Sequence, residues 1–482
     1  MNGLFAVVSA LADSGVKNVT GVPGFPITEL MEALPGKINH EWSINEKVAL
    51  EIALGSSVCG ERSAVITKHV GMNILADPLV TSATHTIGAG VVIIAGDDPG
   101  VQKSQNEQDS RFYGLVAEAP VFDPSTPETA YICIKEAFLL SEKVRTPVII
   151  RLTDRLLKEE GKITRKKSET NTALPLDKKI WKLTMRGKHQ RFHRESFPEM
   201  CKYAENSKLN TCTKKGDFGI ISSGFLASLV DSIVSPNFSH LSLTTVNPLP
   251  LDLINSFIAE HKHVLVVEET EPVIEKQLSG KVLGKLTGHL PYGMVEIEDI
   301  QEAIENINKR NVTRKITPET IKKRGARPLC EDCPYLPLYK AVKEQNVPVA
   351  GDLGCSVLTS SPPLSLLDAA FSLGSSIGTA CGFNRKGIAI IGDFGLAHSG
   401  IQGLINAVHN GHDVVVIILQ NEVAAMTGGQ AAPDLTELVR SYINDTEIID
   451  LQSDTDMKAL LEKKLKSKGV SVLLARARCP RF

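Results

Sequence analysis

The segment GIAIIGDFGLAHSGIQGLINAVHNGHDVVVIILQNEVAAMTGGQ, residues 387–430, most narrows the folds open to this 482-residue chain. It reads as an apolar run (GIAII), a loop over 392–397, an apolar-periodic helix over 399–409 and a second apolar run (VVVIIL) closing at Asn421. Two wholly apolar runs of strand length joined by one helix describe a βαβ crossover, whose strands lie parallel and buried on both faces. Asp393 and Asn421, with 27 residues between them, then stand at the carboxyl ends of neighbouring strands. That rim is where open α/β sheets bind ligands.

A diphosphate held through Mg²⁺ suits such a rim. A small hard cation takes few protein oxygens and completes its octahedron with phosphate oxygens and water. Ser399 is expected to N-cap the crossover helix, whose first N–H groups would face the phosphates. The plainer alternative is an ordinary βαβ unit in which Asp393 and Asn421 cap turns, and spacing alone does not separate the two.

Gly392-Asp393 followed by Asn421 resembles the Gly-Asp-Gly…Asn signature of thiamine diphosphate enzymes. More narrowly, GDF…HSGIQGLINAVHN…ILQNEVAAMTGGQ is similar to the α subunit of indolepyruvate (arylpyruvate) ferredoxin oxidoreductases. The third signature position departs, with Phe394 in place of Gly. The resemblance implies Mg²⁺ ligation by Asp393, Asn421 and the Val423 carbonyl, with Gly392, Phe394, Gly395, Ser399 and Met426 around the cofactor. It also implies an α/β fold of thiamine diphosphate-binding type. Two doubly wound parallel-sheet domains, for the pyrimidine and for the diphosphate, accompany a smaller transketolase C-terminal-like α/β domain.

The totals agree with a multi-domain soluble protein. Hydrophobic residues make up 42% and the formal net charge is −2, so no strong field argues for nucleic acid or membrane. The N-terminus lacks a basic run and meets Asp13 early, which reads as an amphipathic helix and not a signal peptide. Nine cysteines without such a signal point to a reducing, cytoplasmic setting.

Residues 1–160 alternate helical stretches with the strand candidates NVTGVPG, SAVITK, GVVIIAGD and TPVIIRL, the pattern of a doubly wound sheet. The loop Gly21-Val22-Pro23-Gly24 is either a tight turn or a place where a ligand meets backbone. In HEWSINEKVALE, Glu46 falls in a helix's first turn, where a carboxylate is favourable with the helix dipole whatever its function. Ala49, Ile52 and Ala53 are expected on that helix's inner face. WSINEKVALE resembles the family segment whose glutamate sits beside the aminopyrimidine, so the resemblance implies that Glu46 promotes deprotonation of the thiazolium carbon. TKHVGMNILADPL and AGDDPGVQKSQNEQDSRFY match the same family. They place Lys68, His69, Gln105 and Asn106 after strands, where Lys68 and His69 could receive an anionic 2-oxo acid. A solvated Lys-His pair is the plainer reading.

Residues 161–215 are charged and poor in apolar periodicity, and are expected to be a surface linker. Residues 216–320 contain the strands DFGIISSG, LSLTTVNPLP and HVLVVEETEP, the smaller α/β domain. Glu268 and Glu269 there are expected to be solvated. Residues 321–482 form the diphosphate domain, and the resemblance implies that its loop Gly351-Asp352-Leu353-Gly354-Cys355 lines the cofactor cleft.

Cys330 and Cys333 form a C-x-x-C pair, Cys355 follows in a glycine-rich loop, and Cys479 lies near the end. Four thiolates suit a [4Fe–4S] cluster, a zinc site, or, for the pair alone, a redox function. The wider 2-oxo acid oxidoreductase group is similar here, which implies a cluster on these four. Cys59, Cys133, Cys201, Cys212 and Cys381 read as packing residues. The family α subunit ordinarily continues into a ferredoxin-like domain with two cysteine runs. None occurs in this sequence, so an external ferredoxin-like acceptor is expected.

The resemblance therefore implies the catalytic subunit of a 2-oxo acid:ferredoxin oxidoreductase. It would work by thiamine-dependent oxidative decarboxylation, with a homodimer core and coenzyme A handled through a separate β subunit. Met426 before TGGQ points toward an aryl or other large substrate side chain. A non-oxidative thiamine-dependent decarboxylase or lyase, and a non-catalytic thiamine-binding relative, are the other readings.

Overall fold

The computed structural model describes residues 1–166, 174–278, 280, 282–314, 329–453 and 455–482. The chain divides into two compact units, Met1–Ile316 and Thr317–Phe482. The domain boundary expected near 320 falls outside the described residues.

The first unit is built on a seven-stranded sheet. Its order is Thr245–Asn247, Val121–Phe122, Val148–Thr153, Val91–Asp97, Ser63–Lys68, Asn18–Gly21 and Asn39–Trp42. Every pairing is parallel except the Thr245–Asn247 edge, which runs against Val121–Phe122. Val91–Asp97 and Val148–Thr153 are buried along their whole length, as β-branched runs in the middle of a parallel sheet should be. Helices Gly3–Asp13 and Pro127–Val144 pack on one face with Ile94 and Ile150. Helices Glu46–Val58 and Gly71–His85 pack on the other with Val65 and Ile93.

Two expectations need correcting. The charged stretch 161–215 does more than connect. Helices Met185–Arg191 and Phe197–Asn206 run through the π-helical turn Phe192–Ser196, and Phe192, Ser196, Met200 and Ala204 are buried at four-residue spacing. The lysines and arginines between them hide that period in the sequence, because a long basic side chain can flank a narrow apolar stripe. Second, LSLTTVNPLP is two strands. Phe238–Leu243 joins a four-stranded sheet in the order Val264–Val267, Phe218–Ser223, Phe238–Leu243, Thr211–Thr213. After the single residue Thr244, the chain enters the edge of the first sheet. Ile221, Leu241 and Ile254 share one core with Val65, Ile93 and Ile149, so the expected pieces 1–160 and 216–320 meet through packed apolar side chains.

The second unit carries five parallel strands, ordered Val349–Ala350, Gly387–Gly392, Val414–Gln420, Val470–Arg476 and Thr446–Asp450. Helices Leu336–Glu344 and Met457–Lys466 cover one face through Leu338, Tyr339 and Leu461. Ser376–Cys381 and Ile401–His409 cover the other through Ile377, Leu404 and Ala407. Ile391 lies opposite Ile418 and Gly392 opposite Leu419, which sets Asp393 and Asn421 side by side at the strand ends.

Candidate active site

At that rim Asp393 is 6% exposed, and its carboxylate accepts three backbone N–H bonds. Phe394 donates to Oδ1 at 2.8 Å, and Asn421 and Glu422 donate to Oδ2 at 3.0 and 2.6 Å. Burial pushes the Asp393 carboxyl up to about 6 although these bonds oppose it. Glu422 has φ 65°, the left-handed conformation that turns its N–H onto Asp393.

One terminus of the Asn421 side-chain amide lies 3.2 Å from Asp393 Oδ1 and 3.0 Å from the Val423 carbonyl. As NH₂ it donates to both; as the carbonyl oxygen it makes three oxygens converge. Two cis ligands of an octahedral ion with bonds of 2.0–2.1 Å stand about 3 Å apart. With the amide oxygen facing inward, Asp393, Asn421 and the Val423 carbonyl have the donor chemistry for Mg²⁺ and two of the three ligand–ligand distances it needs.

The neighbouring loop closes on this turn. Asp352 is fully buried, and its Oδ1 accepts from the Leu353 and Gly374 N–H groups at 2.9 and 2.5 Å. A Cβ on Gly395 would lie 2.1 Å from Asp352 Oδ2, so only glycine fits there. Gly351 likewise faces Leu367 Cδ1, whereas Gly354 and Gly392 have open space around the Cβ position. Met426 is half-buried in the turn joining the short strands Val423–Ala424 and Gln430–Ala431.

Ser399 does not cap the crossover helix. Helical structure begins at Asp393 with Gly392 as its cap, and Ser399 sits inside the π-helical turn Leu396–Gly400. Its hydroxyl donates to the Leu373 carbonyl at 2.8 Å. The glycines at 392 and 395 allowed the helix to start a turn earlier than the apolar period implies.

In the first unit, Asn45 caps the helix Glu46–Val58 by accepting from Val48 N–H, and Glu46 is 5% exposed. Ala49 and Ala53 face inward as expected, but Ile52 is 38% exposed. The Glu46 carboxyl lies against Gly71, whose added Cβ would meet Glu46 Oε1 at 2.4 Å and Thr67 Oγ1 at 2.1 Å. Sequence reasoning missed Thr67 and Gly71; their place in TKHVG, at and just beyond the end of the inner strand Ser63–Lys68, was the available signal.

Lys68 ends that strand opposite Gly96 and donates to Gln105 Oε1 at 3.1 Å. Burial lowers its ammonium to about 8, with Asp98 and Glu46 acting in the other direction. His69 is 1% exposed, and its Nε2 lies 3.1 Å from the Asn106 carbonyl. That carbonyl can only accept, which assigns the proton to Nε2 and leaves Nδ1 as an acceptor with no partner among the described residues. Lys68, His69, Gln105 and Asn106 therefore come together, and the Glu46 charge reaches Lys68.

Glu268 and Glu269 are not solvated: they are 0% and 1% exposed. Arg111 grips Asp109 with two nitrogens at 2.9 and 2.6 Å and reaches Glu268 Oε2 at 3.0 Å. Arg151 donates to Asp97 at 2.7 Å and to Asp123 at 3.2 Å, and Arg155 pairs with Glu269. Glu268 also accepts the N–H groups of Val273, Ile274 and Glu275. Burial works against the Asp109 charge, and Arg111 overrides it, holding the carboxyl below its usual range. The network joins the carboxyl ends of strands in both sheets. Acidic pairs at strand ends look solvated in a sequence when their arginine partners lie more than a hundred positions away.

Cys330 and Cys333 share one turn, with Cys333 N–H donating to the Cys330 carbonyl at 3.1 Å. Burial pushes the Cys333 thiol up, and Cys330 and Cys479 act on it in the same direction. Cys355 opens the 3₁₀ turn Cys355–Thr359. Among the described residues no three His, Cys, Asp or Glu side chains stand close enough to hold a metal ion. Four thiols suit a soft metal in kind, but these four are not drawn together as a ligand set. Tyr335, two residues past Cys333, donates to the Ala477 carbonyl at 3.0 Å; burial pushes its hydroxyl up, and Asp393, Cys333 and Cys355 act in the same direction.

Two family profiles match the chain: the thiamine pyrophosphate enzyme N-terminal TPP binding domain over residues 1–113 and the C-terminal TPP binding domain over 352–474. The indolepyruvate oxidoreductase subunit IorA of Archaeoglobus fulgidus is 31% identical, covering 98% of this chain and 85% of that protein. Its namesake from Methanothermobacter thermautotrophicus is 32% identical with the same coverage. The sulfopyruvate decarboxylase subunit alpha of Methanococcus maripaludis is 27% identical over 34% of this chain and 100% of its own length. No helix among the described residues is long and apolar enough to cross a membrane.

Proposed function

This chain belongs to the indolepyruvate oxidoreductase subunit IorA family, and from that premise we propose that it is the thiamine diphosphate-dependent catalytic subunit of a 2-oxo acid:ferredoxin oxidoreductase. The observation that carries the reading is the Asp393–Asn421–Val423 rim, where one amide terminus of Asn421 lies 3.2 Å from Asp393 Oδ1 and 3.0 Å from the Val423 carbonyl. Asp393, Asn421 and the Val423 carbonyl would hold Mg²⁺ and through it the diphosphate. Glu46, lying against Gly71 near Thr67, would keep a carboxylate at the aminopyrimidine ring and move the proton that must leave the cofactor. When bound, thiamine diphosphate supplies a carbon nucleophile for the keto group and a sink for the electrons released with CO₂.

Lys68 would pair with the substrate carboxylate, with His69 beside it. Cys330, Cys333, Cys355 and Cys479 are the thiols that would have to close up to hold a [4Fe–4S] cluster, which would supply one-electron transfer towards an external ferredoxin. Coenzyme A would enter with a separate β subunit. The Glu46 helix and the residues before it expose Ile44, Val48 and Ile52 at four-residue spacing, each between 37% and 39%. That stripe supports a homodimer in which Glu46 of one copy serves the Asp393 loop of another. All nine cysteines are free thiols, which supports a reducing, cytoplasmic location.

The sulfopyruvate decarboxylase match favours one second reading, a decarboxylase that releases aldehyde without passing electrons on. Anaerobically prepared protein separates the two. With thiamine diphosphate, Mg²⁺, coenzyme A and indolepyruvate, the oxidoreductase carries about four iron per chain and reduces a viologen dye. Aldehyde release with no iron and no reduced dye would overturn it.

A further inference from the structure

Three cations gather where the segment 174–206 packs onto the first sheet's helices. Lys188 and Arg191 stand three residues apart on the helix Met185–Arg191, so they share one face. Lys188 is 2% exposed, and the Arg191 side chain is 10% exposed. Arg145 ends the helix Pro127–Val144 in the left-handed conformation, φ 58°, at a cap position that favours glycine.

Hydrogen bonds bring the two arginines into one neighbourhood. Arg191 Nη2 donates to Ser196 Oγ at 3.3 Å, and Ser196 Oγ donates at 2.7 Å to the carbonyl of Val144, the residue before Arg145. Burial lowers the Arg191 guanidinium; Arg145 acts in the same direction, and Glu195 and Asp177 act against it.

Those two acids leave part of the cluster unmet. Asp177 Oδ1 accepts the Lys179 N–H at 2.8 Å, and Glu195, 67% exposed, lies 3.6 Å from Arg191 Nη1. Arg191 Nε and Arg145 Nη1 remain buried donors with no hydrogen-bond partner among the described residues. Native proteins rarely leave such donors unmet. The Lys188 ammonium sits 4.1 Å over the centre of the Trp181 ring, an attraction that uses its charge and none of its N–H donors.

We propose that Arg145, Arg191 and Lys188 form a binding site for a phosphate group. A guanidinium fork matches phosphate oxygens, and an ammonium adds a compact charge beside it. One phosphate offers enough oxygens to meet both orphan guanidinium donors and the lysine together. The site draws only on the first unit and does not depend on the oxidoreductase reading.

Calorimetry at fixed ionic strength, on protein holding thiamine diphosphate and Mg²⁺, tests this with inorganic phosphate. Wild type binds one phosphate per chain. Arg145→Gln keeps the backbone N–H bond to Ser141 that ends its helix, and weakens phosphate at least tenfold, about 1.4 kcal/mol. Arg191→Gln abolishes binding; should that variant not fold, Arg145→Gln decides alone. Arg186→Gln removes a charge from the exposed face of the same helix and leaves the affinity within twofold. Tighter binding of adenosine monophosphate than of inorganic phosphate identifies an ester as the ligand, and the reverse identifies the free ion. No phosphate heat in wild type overturns the inference. Equal weakening by Arg145→Gln and Arg186→Gln also overturns it, because diffuse charge would then explain the binding.

Discussion

Replacing Gly71 with alanine is a one-methyl test of whether the Glu46 carboxylate handles the cofactor's proton. Gly71 opens the helix Gly71–His85 without a left-handed φ, so alanine adds no backbone strain and improves helix propensity by about 1 kcal/mol. The new Cβ, however, would lie 2.4 Å from Glu46 Oε1 and 2.1 Å from Thr67 Oγ1, where ordinary contact starts at 3.4 Å. The backbone of a helix start gives little. Thr67 Oγ1 and the Glu46 side chain, whose Cγ would stand at 2.7 Å, must therefore both shift, the carboxyl end by about 1 Å. A displacement of that size in a reacting group costs about 100-fold in rate, or roughly 2.7 kcal/mol of barrier. The assay is kcat at saturating thiamine diphosphate, together with quenched-flow NMR of hydrogen exchange at the thiazolium carbon. Both fall about 100-fold, as in Glu46→Gln, while the protein stays folded and diphosphate-driven affinity is retained. A folded Gly71→Ala protein with wild-type exchange and kcat would refute the assignment of Glu46.

Two further perturbations probe the charges around that site. Lys68 is held at about 8, so its positive charge disappears as pH rises through 8, and KM for the 2-oxo acid climbs toward tenfold per pH unit above it. Lys68→Met raises KM at neutral pH and flattens the profile; an unaltered profile in the variant would assign the dependence elsewhere. Stability of the free protein runs the opposite way. The unfolded lysine keeps its proton to about 10.4, so unfolding takes up a proton between these values and stability increases with pH in that window. Arg151→Met leaves Asp97 buried without its arginine and Asp123 with only Arg111 at 3.8 Å, and costs about 3–5 kcal/mol of the first unit's stability. A melting curve within about 1 °C of wild type would show that the arginine is dispensable.

The sequence announces what depends on local pattern. The apolar runs 387–392 and 414–420 are strands because nothing else buries such runs on both faces, and the crossover between them fixes Asp393 beside Asn421. Glu46 is legible for the same reason, as Asn45 and Glu46 are a helix start. What the sequence conceals depends on distant partners. Nothing near Glu268 in the chain indicates Arg111, 157 positions away, so burial of the acid could not be read locally. The four-residue stripe through Phe192 and Met200 is masked by the basic residues around it. Ser399 misled because a hydroxyl followed by a glycine and an apolar period mimics a helix start inside a helix already under way.

The passage of the chain from one sheet to another through Thr244 alone has a consequence for dissection of the protein. A fragment stopping near 160 would present Val121–Phe122 as a raw edge and strip Arg111 of Glu268. Genetic excision or grafting of the N-terminal sheet should therefore yield aggregates, and the smallest transferable module from this half of the protein extends past Glu268.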